Sequence, residues 1–277
     1  MNTLELNGAN INYNIEGKGP LLILIPGANG TGDIFEPFVE QLKHQFSVVT
    51  YDRRGYGKSN FTEPLPERTK NAYDDYRIKR DVKDIVELSK YLADESIYVL
   101  GTSSGAIVAM HLLKDYPEII NKIAFHEPPI NTFLPEATYW KEKNEDIVDD
   151  IFNKGLEEGM KTFSKKNNAS SEYMETASQF NVKDSEAQKQ KYEQTLFWAK
   201  YEIRQYTHSD ITLEDLAKNK SLITLLSGAE SKDTFVDEVN NYISEQLNIN
   251  VMRTPGGHFG YMHSPKEFSE TLYSFTK

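Results

Sequence analysis

Apolar and polar positions change period several times along the chain, and each change marks an element. Thr3–Leu6 and Asn10–Ile15 flank Asn7-Gly8, a dipeptide suited to a tight hairpin turn, so the chain is predicted to open with two antiparallel strands. Gly17-Lys18-Gly19-Pro20 then breaks the pattern. Leu21-Leu22-Ile23-Leu24-Ile25 is apolar without alternation, as expected of a strand covered on both faces. Phe35, Phe38, Val39 and Leu42 recur at helical spacing, and Phe46–Tyr51 reads as a fourth strand. Ile78, Val82, Ile85, Val86 and Leu92 outline a long amphipathic helix. A fifth strand, Ile97–Leu100, passes through Gly101–Gly105 into a helix that is apolar nearly all round and stops before Pro117. Ile123–Phe125 is a sixth strand running into His126-Glu127-Pro128-Pro129.

From about residue 130 to about 210 the strand signals vanish. Charged, Asn-rich, helix-like segments replace them and carry the two tryptophans, Trp140 and Trp198. The alternation then resumes with strands at Leu222–Leu226 and Ile249–Met252. Between them a helix is outlined by Val236, Val239, Ile243 and Leu247. Ser264-Pro265-Lys266-Glu267 has the residues of a helix start, followed by the apolar positions Phe268 and Leu272. Strands alternating with helices imply a mostly parallel, doubly wound eight-stranded α/β sheet with helices on both faces. The excursion of about 80 residues is too long for a plain loop, and a helical lid is its economical reading. The expected division is a core of residues 1–129 and 211–277, with a helical insertion at 130–210.

Composition narrows the possible functions. A chain of 277 residues without cysteine has no disulfide, no thiolate metal site and no cysteine nucleophile. With 31 basic and 42 acidic residues the net charge is −11, which argues against nucleic acid and against an anionic membrane surface. No apolar run approaches the length of a membrane span, and the N-terminus lacks the basic and apolar regions of a signal peptide. The expectation is a soluble, cytoplasmic protein, monomeric or homodimeric, that acts on a small molecule. No glycine-rich phosphate loop and no metal-ligand spacing is present, so neither metal nor cofactor is expected.

One motif says more than the composition. Gly101-Thr102-Ser103-Ser104-Gly105 matches G-x-S-x-G between a buried strand and an apolar helix. Reversal from strand to helix within a few residues strains the apex, and the small flanking residues let the backbone fold that tightly. The hydroxyl of Ser103 is thereby exposed at the carboxyl end of a strand, where open α/β sheets bind ligands, above a helix N-terminus that favours negative charge. A serine hydroxyl needs a base. Of the six histidines, His258 is the best placed, late in the chain after Pro255-Gly256-Gly257.

The sequence resembles the α/β-hydrolase family. The resemblance rests on Pro26-Gly27-Ala28-Asn29-Gly30 after the third strand, Asp52-Arg53-Arg54-Gly55-Tyr56-Gly57-Lys58-Ser59 after the fourth, the Ser103 turn, and Gly256-Gly257-His258-Phe259 near the end. It implies a triad of nucleophile, acid and histidine. Most members of the family carry the acid after the seventh strand, three residues past a glycine, where this chain has Ser231. Glu127, directly after the sixth strand and held by Pro128-Pro129, is the favoured acid. Glu230 and Asp233, after the seventh strand, are the alternatives. The resemblance also implies an oxyanion hole made by the backbone N–H groups of Ala28 and Ser104. Asn29 is either a substrate contact or turn chemistry, and Trp140 and Trp198 are either pocket lining or lid packing.

The expected reaction is hydrolysis of an ester, thioester or lactone-type acyl bond through an acyl-enzyme. Serine at the apex disfavours the haloalkane dehalogenase and epoxide hydrolase chemistries of the same fold, which use Asp there. Acyl transfer, carbon–carbon bond hydrolysis and cofactor-free perhydrolysis stay open, as does a small-molecule receptor with little turnover.

Overall fold

The computed structural model describes residues 1–169 and 185–275. Its centre is one sheet. The opening hairpin pairs β1 (Asn2–Leu6) with β2 (Ala9–Gly17) in the register Leu6↔Ala9, turning at Gly8 with φ 80°. β2 runs antiparallel to β4 (Ser47–Tyr51), and β4 runs parallel to β3 (Leu21–Ile25). From β3 the sheet continues in parallel through β6 (Ile97–Thr102), β7 (Ile120–His126), β8 (Ile223–Gly228) and β9 (Val251–Thr254). The sheet has nine strands rather than eight. The ninth is β5 (Asn60–Phe61), a two-residue pairing with β2 that is too short to leave a periodic trace in the sequence.

Two helical layers cover the sheet, and the strands sort their side chains between them with period two. Ile23 and Ile25 of β3 join the core formed with α2 (Tyr76–Leu92) and α3 (Ser104–Asp115). Leu22 and Leu24 join the opposite core, formed with α1 (Glu36–Leu42) and the C-terminal helix at Pro265–Phe275. All five residues of β3 are buried, which is why that strand reads as a continuous apolar run.

The described part of the chain between β7 and β8 is largely helical, as expected. It includes α4 (Ala137–Lys154), α5 (Leu156–Lys166), α6 (Ser185–Tyr201), α7 (Ile203–Thr207) and α8 (Leu213–Ala217). Residues 170–184 of the expected lid lie outside the described residues. The described helices have a small core of their own, built from Ile147, Val148, Ile151, Trp198, Ala199 and Ile203, which packs against Ala28 of the loop after β3. The insertion thus rests on the carboxyl ends of the parallel strands, where the sequence places its chemistry.

Candidate active site

Ser103 is the hinge between β6 and α3. Its φ of 54° and ψ of −129° lie outside the allowed regions for a residue with a side chain. The neighbouring chain holds it there. Its N–H donates to the His126 carbonyl at 2.8 Å, and its carbonyl accepts from the Ala106 N–H at 2.9 Å. The glycines of the motif are a packing requirement. A Cβ on Gly105 would sit 2.4 Å from the Ile25 carbonyl oxygen, and one on Gly101 would sit 2.4 Å from the Gly105 oxygen. Ser104 opens α3, so its N–H has no intrahelical acceptor and points out of the helix N-terminus with the positive end of the dipole.

His258 sits in the turn after β9, and the structure brings Glu127 to it. Nδ1 of the ring lies 2.6 Å from Glu127 Oε2. The other carboxylate oxygen accepts the Gly228 N–H at 2.8 Å, and the Glu127 N–H donates to the Leu226 carbonyl at 3.2 Å. Glu127 adopts a φ of 50° and is fully buried. Burial alone would raise its pKa. The hydrogen bond with His258, the nearby charges of His126 and His258, and the Ser231 hydroxyl outweigh it and hold the carboxyl down at about 2. Glu230 and Asp233, the alternatives after β8, are both exposed. Ser231, next to Glu230, is buried against Glu127 instead.

His126 lies behind this pair. Its ring stacks on that of His258 with centroids 6.0 Å apart, and its Nδ1 lies 3.0 Å from the Thr102 hydroxyl. Burial pushes it down to about 4 against the raising effect of Glu127, so it is neutral at pH 7.

The loop after β3 closes a turn from Gly27 to Gly30 through a 3.0 Å backbone hydrogen bond, with Ala28 and Asn29 at its tip. Ala28 faces the cavity over Ser103. The Asn29 amide is committed to its own loop, donating to the Thr31 carbonyl at 3.0 Å and lying 3.2 Å from the Thr31 hydroxyl. It borders a neighbouring surface cleft and not the cavity that holds Ser103. This is the turn chemistry that the glycine-rich loop made plausible.

Arg53 holds the loop from beneath, donating through Nη1 to the Gly27 carbonyl at 3.0 Å. The same guanidinium bonds Asp81 and reaches Glu202 at 2.8 Å and the Tyr206 hydroxyl at 3.1 Å. Arg77 takes the other Glu202 oxygen at 3.0 Å. All of these groups are buried. Glu202 and Tyr206 belong to the insertion, so this ion cluster ties it to the loop beside the nucleophile. Sequence reading left both residues unremarked, because a lone Glu or Tyr in a charged helical stretch gives no sign that it will be buried.

A cavity of about 90 Å³ lies above Ser103. Ser103, Ser104, Ala28 and His258 line it from the core. Trp140, Phe163 and Trp198 line it from the insertion, and Trp140 packs on Phe235 of the core at a centroid distance of 4.3 Å. Both tryptophans therefore face the cavity as well as packing the insertion. Among the described residues there is no group of three or more His, Asp or Glu side chains able to hold a metal ion, and no helix is long and apolar enough to cross a membrane.

Comparison with known proteins addresses the family and the fold. The chain is 28% identical over 275 residues to an uncharacterized hydrolase of Bacillus subtilis (strain 168), YraK, covering 98% of this chain and 94% of that one. It is 37% identical over 123 residues to the human serine hydrolase BPHL, covering 43% of this chain and 40% of that one. The crystal structure of the enol-lactonase from Burkholderia xenovorans LB400 superposes with a TM-score of 0.67 over 99% of both chains, at 16% identity, a likeness of fold alone. The sequence profile of the alpha/beta hydrolase fold matches residues 20–265, and with sheet order, elbow and histidine turn in agreement the chain belongs to the α/β-hydrolase fold family and is a hydrolase.

Proposed function

We propose that this hydrolase cleaves an ester, thioester or lactone-type acyl bond of a small molecule through a Ser103-His258-Glu127 triad. The observation that carries the reading is the 2.6 Å contact between Glu127 and His258 at the cavity into which Ser103 is turned. Glu127 accepts a hydrogen bond from the Nδ1–H, so Nε2 acts as the base. Ser103 Oγ adds to the acyl carbon while Nε2 takes its proton. The oxyanion forms against the N–H groups of Ala28 and Ser104. As the tetrahedral adduct collapses, His258 returns the proton to the leaving oxygen or sulfur and the acyl group stays on Ser103. A water molecule, deprotonated by His258, repeats the addition and releases the acid. In this reading residues 130–210 form a lid over a core of 1–129 and 211–277, supported by the insertion's own small core and its tryptophans in the cavity wall.

The test combines labelling with turnover. A fluorophosphonate should modify Ser103 in the native protein and leave Ser103→Ala untouched, and only the native protein should release nitrophenol repeatedly from short nitrophenyl esters. Undiminished turnover by Ser103→Ala sinks the triad. Labelling followed by a single slow turnover would favour a receptor of the same fold.

A further inference from the structure

The cavity has a polar end that the acyl chemistry does not use. Asn131, just beyond Glu127, and Asn144, on α4, are 2% and 7% exposed, and both line the cavity. They converge on Thr207. Its carbonyl accepts the Asn131 N–H at 3.0 Å, and its hydroxyl oxygen lies 2.7 Å from Asn144 Nδ2.

Proton counting fixes the Asn144 amide. Thr207 gives its one hydroxyl proton to the Ile203 carbonyl at 2.6 Å, so Oγ1 must accept from Asn144, and the Asn144 oxygen points the other way. Among the described residues nothing donates to that oxygen. Asn131 is barer still. Its side-chain oxygen is buried without a partner, and its amide nitrogen donates to nothing among the described residues. The enclosed Asn131 oxygen is costly without a partner, and the Asn144 oxygen and Asn131 amide nitrogen, which are not enclosed, are open to a ligand in the cavity. Together they present at least one free acceptor and one free donor.

Among the described lining residues the charge balance disfavours an ionic partner. Glu202 is the one carboxylate among the described cavity-lining residues, and Arg53 and Arg77 already hold it. A substrate carboxylate or ammonium placed here would meet no free counter-charge among them.

We infer that Asn131 and Asn144 form a recognition site for an uncharged amide, so that the acyl part of the preferred substrate carries a carboxamide. This rests on reading the cavity as the acyl site of the hydrolase. An amide N–H meets the Asn144 oxygen, and its carbonyl meets the Asn131 amide nitrogen, where a hydrocarbon of equal length would leave both residues unsatisfied.

Three nitrophenyl esters of matched length test this, with an amide, a methylene pair or a carboxylate at the same place in the acyl chain. The native enzyme should prefer the amide over the hydrocarbon by about 30-fold in kcat/KM, and the carboxylate should be poorest. Asn144→Leu and Asn131→Leu, each checked by melting curve, should bring the amide-to-hydrocarbon ratio to within about threefold of one. Calorimetric binding of the same intact esters to Ser103→Ala should show the same order, without any need for turnover. A ratio near one in the native enzyme and in Ser103→Ala, a preference that survives in both Asn variants, or a preference for the carboxylate overturns the inference. Selective binding by Ser103→Ala with no labelling or hydrolysis by the native protein would sink the hydrolase reading and leave amide recognition standing. Hydrolysis of all three esters without preference would do the reverse.

Discussion

Replacing Glu127 by glutamine tests the triad at the level of one proton. The two carboxylate oxygens do different work, one accepting the Gly228 N–H at 2.8 Å and the other lying 2.6 Å from His258 Nδ1. Because both accept, Nδ1 carries the ring proton, and in the proposed triad Nε2 is the base for Ser103. Glutamine has one accepting end and one donating end. The Gly228 N–H is fixed in the backbone, so the amide oxygen goes to it and the NH₂ faces His258. Nδ1 must then accept, the proton moves to Nε2, and the imidazole offers the serine a donor instead of a base. The flipped amide would set two donors face to face at the buried Gly228 N–H, and it still lacks the negative charge that stabilises the imidazolium in the transition state. The wrong tautomer costs about 10⁴ in kcat in a serine protease with the same triad logic. Glu127→Gln should therefore lose about 10³–10⁴ in kcat on a nitrophenyl ester with KM changed less than about threefold. Glu230→Gln and Asp233→Asn should stay within about twofold of native. Steady-state kinetics, with melting curves to show that the variants are folded, decide the matter. The reasoning fails if Glu127→Gln keeps more than about a tenth of native kcat, or if either exposed carboxylate proves the more costly to lose.

The same structure makes three further predictions. Gly105→Ala, whose Cβ would meet the Ile25 and Pro26 carbonyl oxygens at 2.4 and 2.7 Å, should destabilise the fold by roughly 3 kcal/mol and cut activity further by shifting the elbow; near-native melting and kinetics would contradict the packing argument. Glu202→Gln leaves two buried guanidinium groups facing one carboxylate and should cost about 3–5 kcal/mol in urea denaturation, whereas a change under about 1 kcal/mol would show the cluster to be dispensable. His111 and His126 are each pushed by burial from 6.5 to about 4, so the unfolded chain binds two protons that the native protein refuses between those values. Stability should thus be full above pH 6.5 and fall with acid at up to about 2.7 kcal/mol per pH unit, the slope halving in His111→Leu. Glu127, already depressed to about 2, adds its own loss only below about pH 4.5. A flat urea-denaturation profile from pH 7 to 5 would contradict this.

How much of this was legible in the sequence depended on whether the signal was local. The parallel strands were legible because burial on both faces leaves unbroken apolar runs, and β3 and β6 are buried along almost their whole length. The elbow was legible because its steric demand falls on residues two before and two after Ser103. The two-residue β5 and the short helix at Leu213–Ala217 were missed, the first for want of length. The second carried a local sign, the Thr212 and Asp215 capping box, that went unused. Arg53 and Glu202 are 149 residues apart, and no local pattern reports a partner that far along the chain. The polar end of the cavity was invisible for a related reason, since Asn131, Asn144 and Thr207 become neighbours only when the insertion folds back. Glu127 was a middle case, suggested by position, while its contact with His258 and the exposure of Glu230 and Asp233 emerge only in the tertiary structure.

The position of that acid has a mechanical consequence. Residues 126 and 127 are adjacent, and each bonds a different part of the site. The His126 carbonyl takes the Ser103 N–H at 2.8 Å, while the Glu127 carboxylate takes the Gly228 N–H and pairs with His258. The ends of β6, β7 and β8 and the histidine turn after β9 are thus clamped by one dipeptide. With the acid after β8, the link from nucleophile to acid would cross an extra strand pair. Here Ser231, buried beside Glu127, supplies only a hydroxyl to the carboxylate, and the loop carrying Glu230 and Asp233 is left exposed. The clamp also lies wholly on the core side of the insertion. The insertion meets this site through the partners of Arg53 and the cavity wall, so substitutions there that spare Glu202 and Tyr206 should move KM and substrate preference while leaving the geometry of Ser103, His258 and Glu127 in place. In the proposed reading specificity and chemistry are thereby separated onto two parts of the fold, with the chemistry held by backbone hydrogen bonds across the sheet.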